Sequence, residues 1–299
     1  MANNGSGTLL VTGASGNLGR RVVELLVASG QHEQRRIVAT TRTPEKLADL
    51  GAEGIEVRAA SFEDPSSLAV AFAGVERVLI VSTDALDRVD RRIEQHANAV
   101  NAAKAAGVRH IVYTSLTNPG SESLVTIAPD HRRTEELIAA SGLGYAFLRN
   151  NMYTDYLLHH LSHEIAAGKI VNAYGEGAVG YVTREDCARA AAASLASSFE
   201  GRAVYDITGP SAVTQAELAE VVSQITGKRV AYVAVDGDTS KRNAVAAGLP
   251  APVAELLVSF ELAGAKGQLG VAPGAVQALT GVAPASVRDF LVVHRAALG

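Results

Sequence analysis

Three glycines set three apart constrain this chain more than any other feature. Gly13, Gly16 and Gly19 lie in "LLVTGASGNLGRRVVELL", residues 9–26, between a β-branched apolar run and an amphipathic run. A strand ending at Thr12 must turn sharply there into a helix that begins near Gly16. Gly13 can take the backbone angles of the turn, Gly16 lets the main chain approach a ligand, and Gly19 lets helix and sheet pack closely. Leu18, Val22, Leu25 and Leu26 form the helix face that would hold this geometry. The helix N-terminus then offers N–H groups without intrahelical partners and a partial positive charge, which suits a pyrophosphate. Glycine triplets also occur in turns that bind nothing. This one follows the first strand and opens the first helix of a βαβ unit, and that context reads as a dinucleotide site.

The first half of the chain keeps the rhythm that this unit needs. Apolar runs occur at "TLLVTG" (8–13), "RRIVATT" (35–41), "IEVRAA" (55–60), "ERVLIVST" (76–83), "RHIVYTS" (109–115) and "YAFLRN" (145–150). Between them lie helix patterns with start signals: Thr43 before Pro44, and Asp64 before Pro65. A third pattern places Val89, Ile93, Ala97 and Val100 on one face and stops at Gly107. Strand, helix, strand at this spacing predicts right-handed crossovers and a parallel sheet covered on both faces. Beyond residue 150 the pattern predicts a helix capped by Thr183 with Asp186 three residues on, and a strand at 203–208 that returns to the first sheet. A capped helix at 214–227 and helices around 252–264 and 284–297 follow. The expected fold is α/β, a Rossmann-like doubly wound parallel sheet with a small C-terminal α/β lobe. Its NAD(P)-binding domain would take residues 1–152, joined by 180–208. A smaller substrate-binding lobe would take 153–179 and 209–299.

An NAD site usually carries an acid at the end of the second strand, about 20 residues beyond the glycines, to bind the ribose hydroxyls. Here that strand ends "ATTRTP", with Arg42 and no acid. A guanidinium suits the extra 2′-phosphate of NADP, so NADPH is expected over NADH. Composition narrows the partners. A net charge of -4 and the interleaved acids of "DRVDRRIEQH" argue against nucleic acid, which needs a concentrated basic face; that run reads as a solvated helix surface. Cys187 is the only cysteine, so neither an intramolecular disulfide nor a cysteine metal cluster is expected. His159, His160 and His163 lack a convergent set of carboxylates, and no metal is expected there either. The start "MANNGSG" does not resemble a secretory signal, and no apolar stretch reaches membrane-spanning length. A cytoplasmic protein is expected, acting alone or as a homodimer.

Several motifs in order resemble the NmrA-like branch of the atypical short-chain dehydrogenases, in particular its type 2 quinone oxidoreductases and triphenylmethane reductases. These are "VTGASGNLG", "TRTPEKL", "AFAGVERVLIVS", "HANAVNAAKAAGVRHIVYTS", "DHRRTEELIAASGLGYAFLRNNMYTDY" and "VTREDCARAAAASL", with the likeness weakening beyond about residue 250. The resemblance implies a Rossmann-like domain, a small lobe and an open cleft between them. It implies pyrophosphate contacts from Gly13, Ser15, Gly16, Asn17, Leu18 and Gly19, and 2′-phosphate recognition by Arg42. It implies an adenine contact from Ser61 and Phe62, although many relatives carry Asp where Ser61 stands. Ser82 and Thr83 would flank the ribose and pyrophosphate.

Ordinary short-chain dehydrogenases pass a proton through Ser, Tyr and a Lys four residues after the Tyr. Ser115 could be the serine, but Ile127 and His131 occupy the tyrosine and lysine positions. A quinone or cationic dye accepts hydride readily and needs no strong acid, so positioning would supply most of the acceleration. His131 either orients or protonates the acceptor, or is a helix-start residue facing Glu135 one turn on. Asn150 ends the sixth strand, where the nicotinamide should lie, and its amide could hold the carboxamide or a substrate oxygen. Tyr153 and Tyr156 could wall a flat acceptor by stacking, with packing the competing account, favoured for Tyr156. The expected activity is NADPH-dependent hydride transfer to a quinone or similar conjugated acceptor. The competing readings are a non-catalytic NADP-binding redox sensor of the NmrA type, and a carbonyl or imine reductase or epimerase.

Overall fold

Each of the β-branched runs becomes a strand, because side chains covered on both faces leave no place for alternation with polar residues. The computed structural model describes residues 7–85 and 90–299. The six expected strands are β1 (Thr8–Val11), β2 (Ile37–Thr41), β3 (Glu56–Ala59), β4 (Val75–Ile80), β5 (His110–Leu116) and β6 (Gly144–Asn150). Between them run α1 (Asn17–Ala28), α2 (Gln31–Gln34), α3 (Ala48–Ala52), α4 (Pro65–Phe72), α5 (Arg91–Ala105) and α6 (Ala128–Ala140). The chain continues with α7 (Leu161–Ala167), β7 (Lys169–Asn172), β8 (Ala178–Val179), α8 (Arg184–Ala196), β9 (Arg202–Ile207), β10 (Val213–Thr214), α9 (Gln215–Thr226) and β11 (Ala231–Ala234). It closes with α10 (Gly237–Ala246), α11 (Ala251–Ala265), α12 (Ala275–Thr280) and α13 (Val287–Val293).

Seven strands form one sheet in the order β3-β2-β1-β4-β5-β6-β9. The ladders β1–β2, β1–β4, β2–β3 and β4–β5 are parallel, and hydrogen bonds from Gly144 to Arg109, Tyr145 to Gly201 and Asn151 to Ile207 continue that sense outward. The strand order reverses between β1 and β4, which is where a doubly wound sheet opens a crevice at its carboxyl edge. The expected return of 203–208 to this sheet is β9. Leu9, Leu10, Val11, Val78, Leu79 and Ile80 are fully buried.

The chain divides into two compact units. The first takes the described residues through Ser115, with Asp130–Arg149 and Cys187–Tyr205; the second takes Leu116–Pro129, Asn150–Asp186 and Asp206–Gly299. The core of the first gathers Val38, Phe72, Ile80, Ile111, Tyr113, Ile138 and Phe147. The core of the second gathers Leu157, Leu161, Ile170, Tyr181, Leu218, Val222, Phe260 and Leu291. The second unit also holds two small sheets, β8 antiparallel to β10 and β7 parallel to β11.

Local signals act as their chemistry requires at three of the four capped helix starts read above. Asp64 accepts from the Ser66 N–H, and Asp186 N–H donates to Thr183. Thr214 and Glu217 close a reciprocal capping box, an arrangement whose loss costs about 1 kcal/mol. Thr43 departs from expectation: its side chain makes no capping bond, and Pro44–Leu47 forms a short 3-10 turn. The expected helix around 284–297 is α13 followed by a second 3-10 turn, Arg295–Leu298.

Two faces differ from the reading above. On α1 the buried stripe is Gly19, Val22, Val23 and Leu26, while Leu18 and Leu25 lie half-exposed at its edges. On α5 the buried residues are Arg92, Gln95, His96, Ala99, Val100 and Ala103; Ile93 and Ala97 are half-buried, and Val89 lies outside the described residues. The stretch read as a solvated basic surface therefore turns Arg92, Gln95 and His96 inward. Arg92 meets Asp130 and His131, and His96 meets Thr134, which offsets the penalty of burying them; Gln95 donates through Nε2 to Glu63, while its Oε1 has no hydrogen-bond partner.

Candidate active site

The first turn is built as the glycine spacing demands. Gly13 has φ +61°, in the left-handed region that glycine enters without strain. A Cβ on Gly19 would stand 2.5 Å from the Gly13 carbonyl oxygen and 3.0 Å from that of Thr12, so α1 packs against the strand end only because Gly19 has no side chain. Gly16 is different: its φ of -89° and ψ of 165° suit any residue, and a Cβ there would meet only the Gly13 carbonyl oxygen, at 3.4 Å. Gly16 is therefore not required by the fold, and its exposed backbone is open to a ligand.

Gly16 is the N-cap of α1, and it makes no side-chain cap. The first turn carries no acidic residue. The N–H groups of Asn17, Leu18 and Gly19 have no intrahelical partners, so both the donors and the positive end of the dipole remain available to an anion. Ser15 and Asn17 are exposed beside them. The Thr41 hydroxyl donates to the Ser15 Oγ at 2.8 Å, tying the end of β2 to this turn. Arg42 is the next residue and is exposed, with the Glu63 carboxylate near enough to feel its charge.

Across the strand reversal, the Val81 N–H donates to the Thr12 hydroxyl at 2.9 Å, and the Thr12 N–H donates to the Leu79 carbonyl. These bonds hold the segment after β4 against the glycine turn. Ser82 N–H donates to the Thr114 hydroxyl at 2.8 Å, and Thr83 N–H donates to His96 Nε2 at 3.1 Å. With Nε2 accepting, the His96 proton sits on Nδ1 and goes to the Thr134 hydroxyl, 2.9 Å away. Thr134 in turn donates to the Asp130 carbonyl. Burial, with Arg92 nearby, pushes the His96 pKa down to about 3, so the ring is neutral. Ser61 and Phe62 are half-buried beyond β3; Ser61 N–H donates to Ser67, and the Phe62 ring meets His96 edge-on.

His131 is 3% exposed, and both ring nitrogens are engaged. Arg92 Nη2 lies 3.0 Å from Nε2, and a guanidinium can only donate, so Nε2 accepts. Nδ1 then carries the proton and donates to the Tyr113 hydroxyl at 2.9 Å. Burial, with the Arg92 charge behind it, holds the His131 pKa well below the ordinary histidine value. The expected pairing with Glu135 does not form. Glu135 instead accepts both guanidinium donors of Arg149, at 2.9 and 2.6 Å, and the Ser115 hydroxyl at 2.6 Å. Ser115 is buried, and its one proton is committed to that carboxylate. The His131 and Ser115 protons are thus both directed at partners within the protein. Ile127 lies in the turn before α6 and packs on the second unit's core.

Within the second unit, Asn150 is 5% exposed, and its Nδ2 donates to the Tyr153 hydroxyl at 3.1 Å. Its Oδ1 is enclosed without a hydrogen-bond partner. The Nδ2 of the amide expected to hold a ligand is thus directed at a tyrosine. Tyr153 is half-exposed and Tyr156 is exposed, their ring centres 5.7 Å apart. Nearby, His160 pairs with Glu164, and among the described residues no cluster of three or more His, Cys, Asp or Glu could hold a metal. Among those residues also, no helix is long and apolar enough to cross a membrane.

Three residues that support these sites went unnoticed in the sequence. His96 and Thr114 fix the segment carrying Ser82 and Thr83, and Arg184 stands over both tyrosines. Their partners lie 13 to 38 positions away, and no local pattern marks them.

The chain is similar to known proteins over most of its length. The NAD(P)H-binding family matches residues 13–198. Quinone oxidoreductase 2 of Escherichia coli is 36% identical over 261 residues, 87% of this chain and 89% of that protein. The crystal structure of the NADPH-dependent quinone oxidoreductase of Escherichia coli complexed with NADPH superposes with a TM-score of 0.89 at 33% identity, covering 96% of this chain and 99% of that one. Triphenylmethane reductase of Citrobacter sp., complexed with NADP(H), gives 0.87 at 35% identity over the same shares. With its glycine turn, vacant helix cap and strand order, the chain belongs to the NAD(P)H-binding family, among the NmrA-like oxidoreductases.

Proposed function

We propose that the protein is an NADPH-dependent reductase whose acceptor is a quinone or a similar conjugated molecule. The oxidoreductase class and the NADP cofactor follow from the family and from relatives named quinone oxidoreductase and triphenylmethane reductase. The observation that carries the reading is the uncapped N-terminus of α1 over a glycine turn whose exposed Gly16 has room for a ligand.

In this reading the N–H groups of Asn17, Leu18 and Gly19, with Gly13, Ser15 and Gly16, hold the pyrophosphate. Arg42 pairs with the 2′-phosphate, where a charge-assisted bond is worth more than a neutral one. Ser61 and Phe62 border the adenine, and Ser82 and Thr83 the ribose. When bound, NADPH supplies the hydride. Tyr153, held by Asn150, gives a flat acceptor an oriented face in the second unit. His131 and Ser115 act through the fold, bracing α5, α6 and β5, and not as acids. Proximity and orientation then carry the acceleration, which suffices for an acceptor that takes hydride readily.

The test is steady-state oxidation of NADPH by the full chain with benzoquinone. Quinone-dependent turnover supports the reading; cofactor binding without turnover favours a redox sensor instead.

A further inference from the structure

The turn that carries the tyrosines is tied to the start of α8 by backbone pairing. Val182 N–H donates to the Met152 carbonyl at 3.0 Å, and Thr154 N–H donates to the Val182 carbonyl at 2.9 Å, which sets Tyr153 beside Val182. Two residues on, Arg184 begins α8. Its backbone N–H donates to Asp155 Oδ2 at 2.9 Å, and its Nη1 lies 3.5 Å from Asp155 Oδ1. Anchored so, the guanidinium carbon stands 5.3 Å from the Tyr153 ring centre and 4.9 Å from that of Tyr156. Tyr153 is thus held by its backbone, by Asn150 at its hydroxyl, and by Arg184 at its ring.

A single guanidinium over one surface tyrosine is an ordinary stabilising contact. Here one cation serves two rings, and one of those tyrosines is 45% exposed. Ordering an exposed aromatic side chain costs entropy, which at Tyr156 is set against its contacts with Arg184, Tyr153 and His159. Preorganised aromatic faces reduce the cost of binding a flat ligand. Asp155 offsets part of the guanidinium charge, and the part that remains toward the rings has a second consequence. Hydride addition to a neutral quinone forms a hydroquinone monoanion, which takes its proton from solvent afterwards. Hydride addition to a cationic triphenylmethane dye forms a neutral product. A nearby cation therefore favours the first transition state and disfavours the bound ground state of the second acceptor.

We propose that Arg184 is a positioning residue that holds Tyr153 and Tyr156 as a stacking wall for a flat acceptor and biases the enzyme toward neutral over cationic acceptors. The proposal rests on the reductase reading above. Arg184 touches the rings, not the reacting atoms.

The test compares the full chain with Arg184→Ala and Arg184→Lys, using menadione as the neutral acceptor and malachite green as the cationic one. For Arg184→Ala the menadione KM rises about fivefold or more, and NADPH affinity stays within about twofold. The ratio of kcat/KM for malachite green to that for menadione rises as well. Arg184→Lys keeps the charge but loses the planar fork, so it restores the ratio more than the KM. An unchanged menadione KM in Arg184→Ala overturns the proposal, as does an equal loss with both acceptors accompanied by weaker NADPH binding. If the unmodified protein turns over neither acceptor, the reductase reading itself fails. Turnover by the unmodified protein with no effect of Arg184→Ala removes this proposal alone.

Discussion

The α-carbon of Gly19 approaches the Gly13 carbonyl so closely that a methyl group on it would sit 2.5 Å from the oxygen. Gly16, three residues earlier, has no such constraint. The two glycines therefore separate fold from ligand. Gly19→Ala forces α1 off the end of β1 and is expected to destabilise the protein by about 1–3 kcal/mol, as overpacking does. Gly16→Val is expected to unfold at nearly the same denaturant concentration as the parent, yet to lose NADPH binding. Urea unfolding and NADPH titration of both variants check this. Retained NADPH affinity in Gly16→Val would mean that the turn faces no pyrophosphate.

Arg42 follows a strand that ends in threonine, where an acid would serve NADH. NADPH is expected to bind more tightly than NADH. Arg42→Ala is expected to narrow the gap by about 1–3 kcal/mol, as for a charge-assisted pair. Dissociation constants for both cofactors, measured on parent and variant at fixed salt, decide it. Equal constants in the parent contradict the assignment.

His131 bridges Arg92 and Tyr113 in the interior. His131→Ala leaves a buried cation and a buried hydroxyl short of a partner, and is expected to cost about 2–4 kcal/mol of stability. Its kcat/KM with a quinone is expected to fall by less than about tenfold, well short of the loss typical of a general acid. Asn150→Ala, which removes the amide's bond to the Tyr153 hydroxyl, is expected to reverse that order, with the larger effect on kcat/KM. A fall of a hundredfold or more in a folded His131→Ala protein would make His131 the proton donor.

Burial sets a pH dependence of stability. His96 and His110 are pushed down to about 3, and His131 well below its ordinary value. In the unfolded chain these histidines titrate near ~6.5. Between those values the unfolded state binds more protons, so their contribution is complete above about pH 6.5 and is lost as pH falls toward 3. Stability is expected to drop over that window by up to ~1.4 kcal/mol per pH unit for each histidine. Denaturant unfolding at pH 7, 6 and 5 measures the slope, and His96→Gln should reduce it. A flat profile over that range contradicts the neutral, enclosed histidines.

The nucleotide half of the fold was legible because its signals are local. A glycine turn, Pro at a helix start and a run of β-branched residues each act within a few positions, and β1, α1 and α4 formed where those signals stood. The buried face of α5 was not legible. Arg92 and His96 look like solvent-facing residues until Asp130, His131 and Thr134 come up on α6, 38 and 39 positions from their partners on α5. Arg77 is a further case: nothing in the run that carries it says what a charged residue in a central strand will meet. Its guanidinium instead donates to the Ser194, Leu195 and Phe199 carbonyls, holding the end of α8 from 117 to 122 positions away. Arg184 was invisible for the same reason, since its place over Tyr153 and Tyr156 depends on pairing across 29 positions.

The measurement that bears most directly on the account is NADPH oxidation by the full chain, followed with and without benzoquinone and repeated with NADH. The account predicts steady quinone-dependent consumption over many turnovers, with the higher kcat/KM for NADPH. Tight NADPH binding with no turnover for any quinone would contradict it.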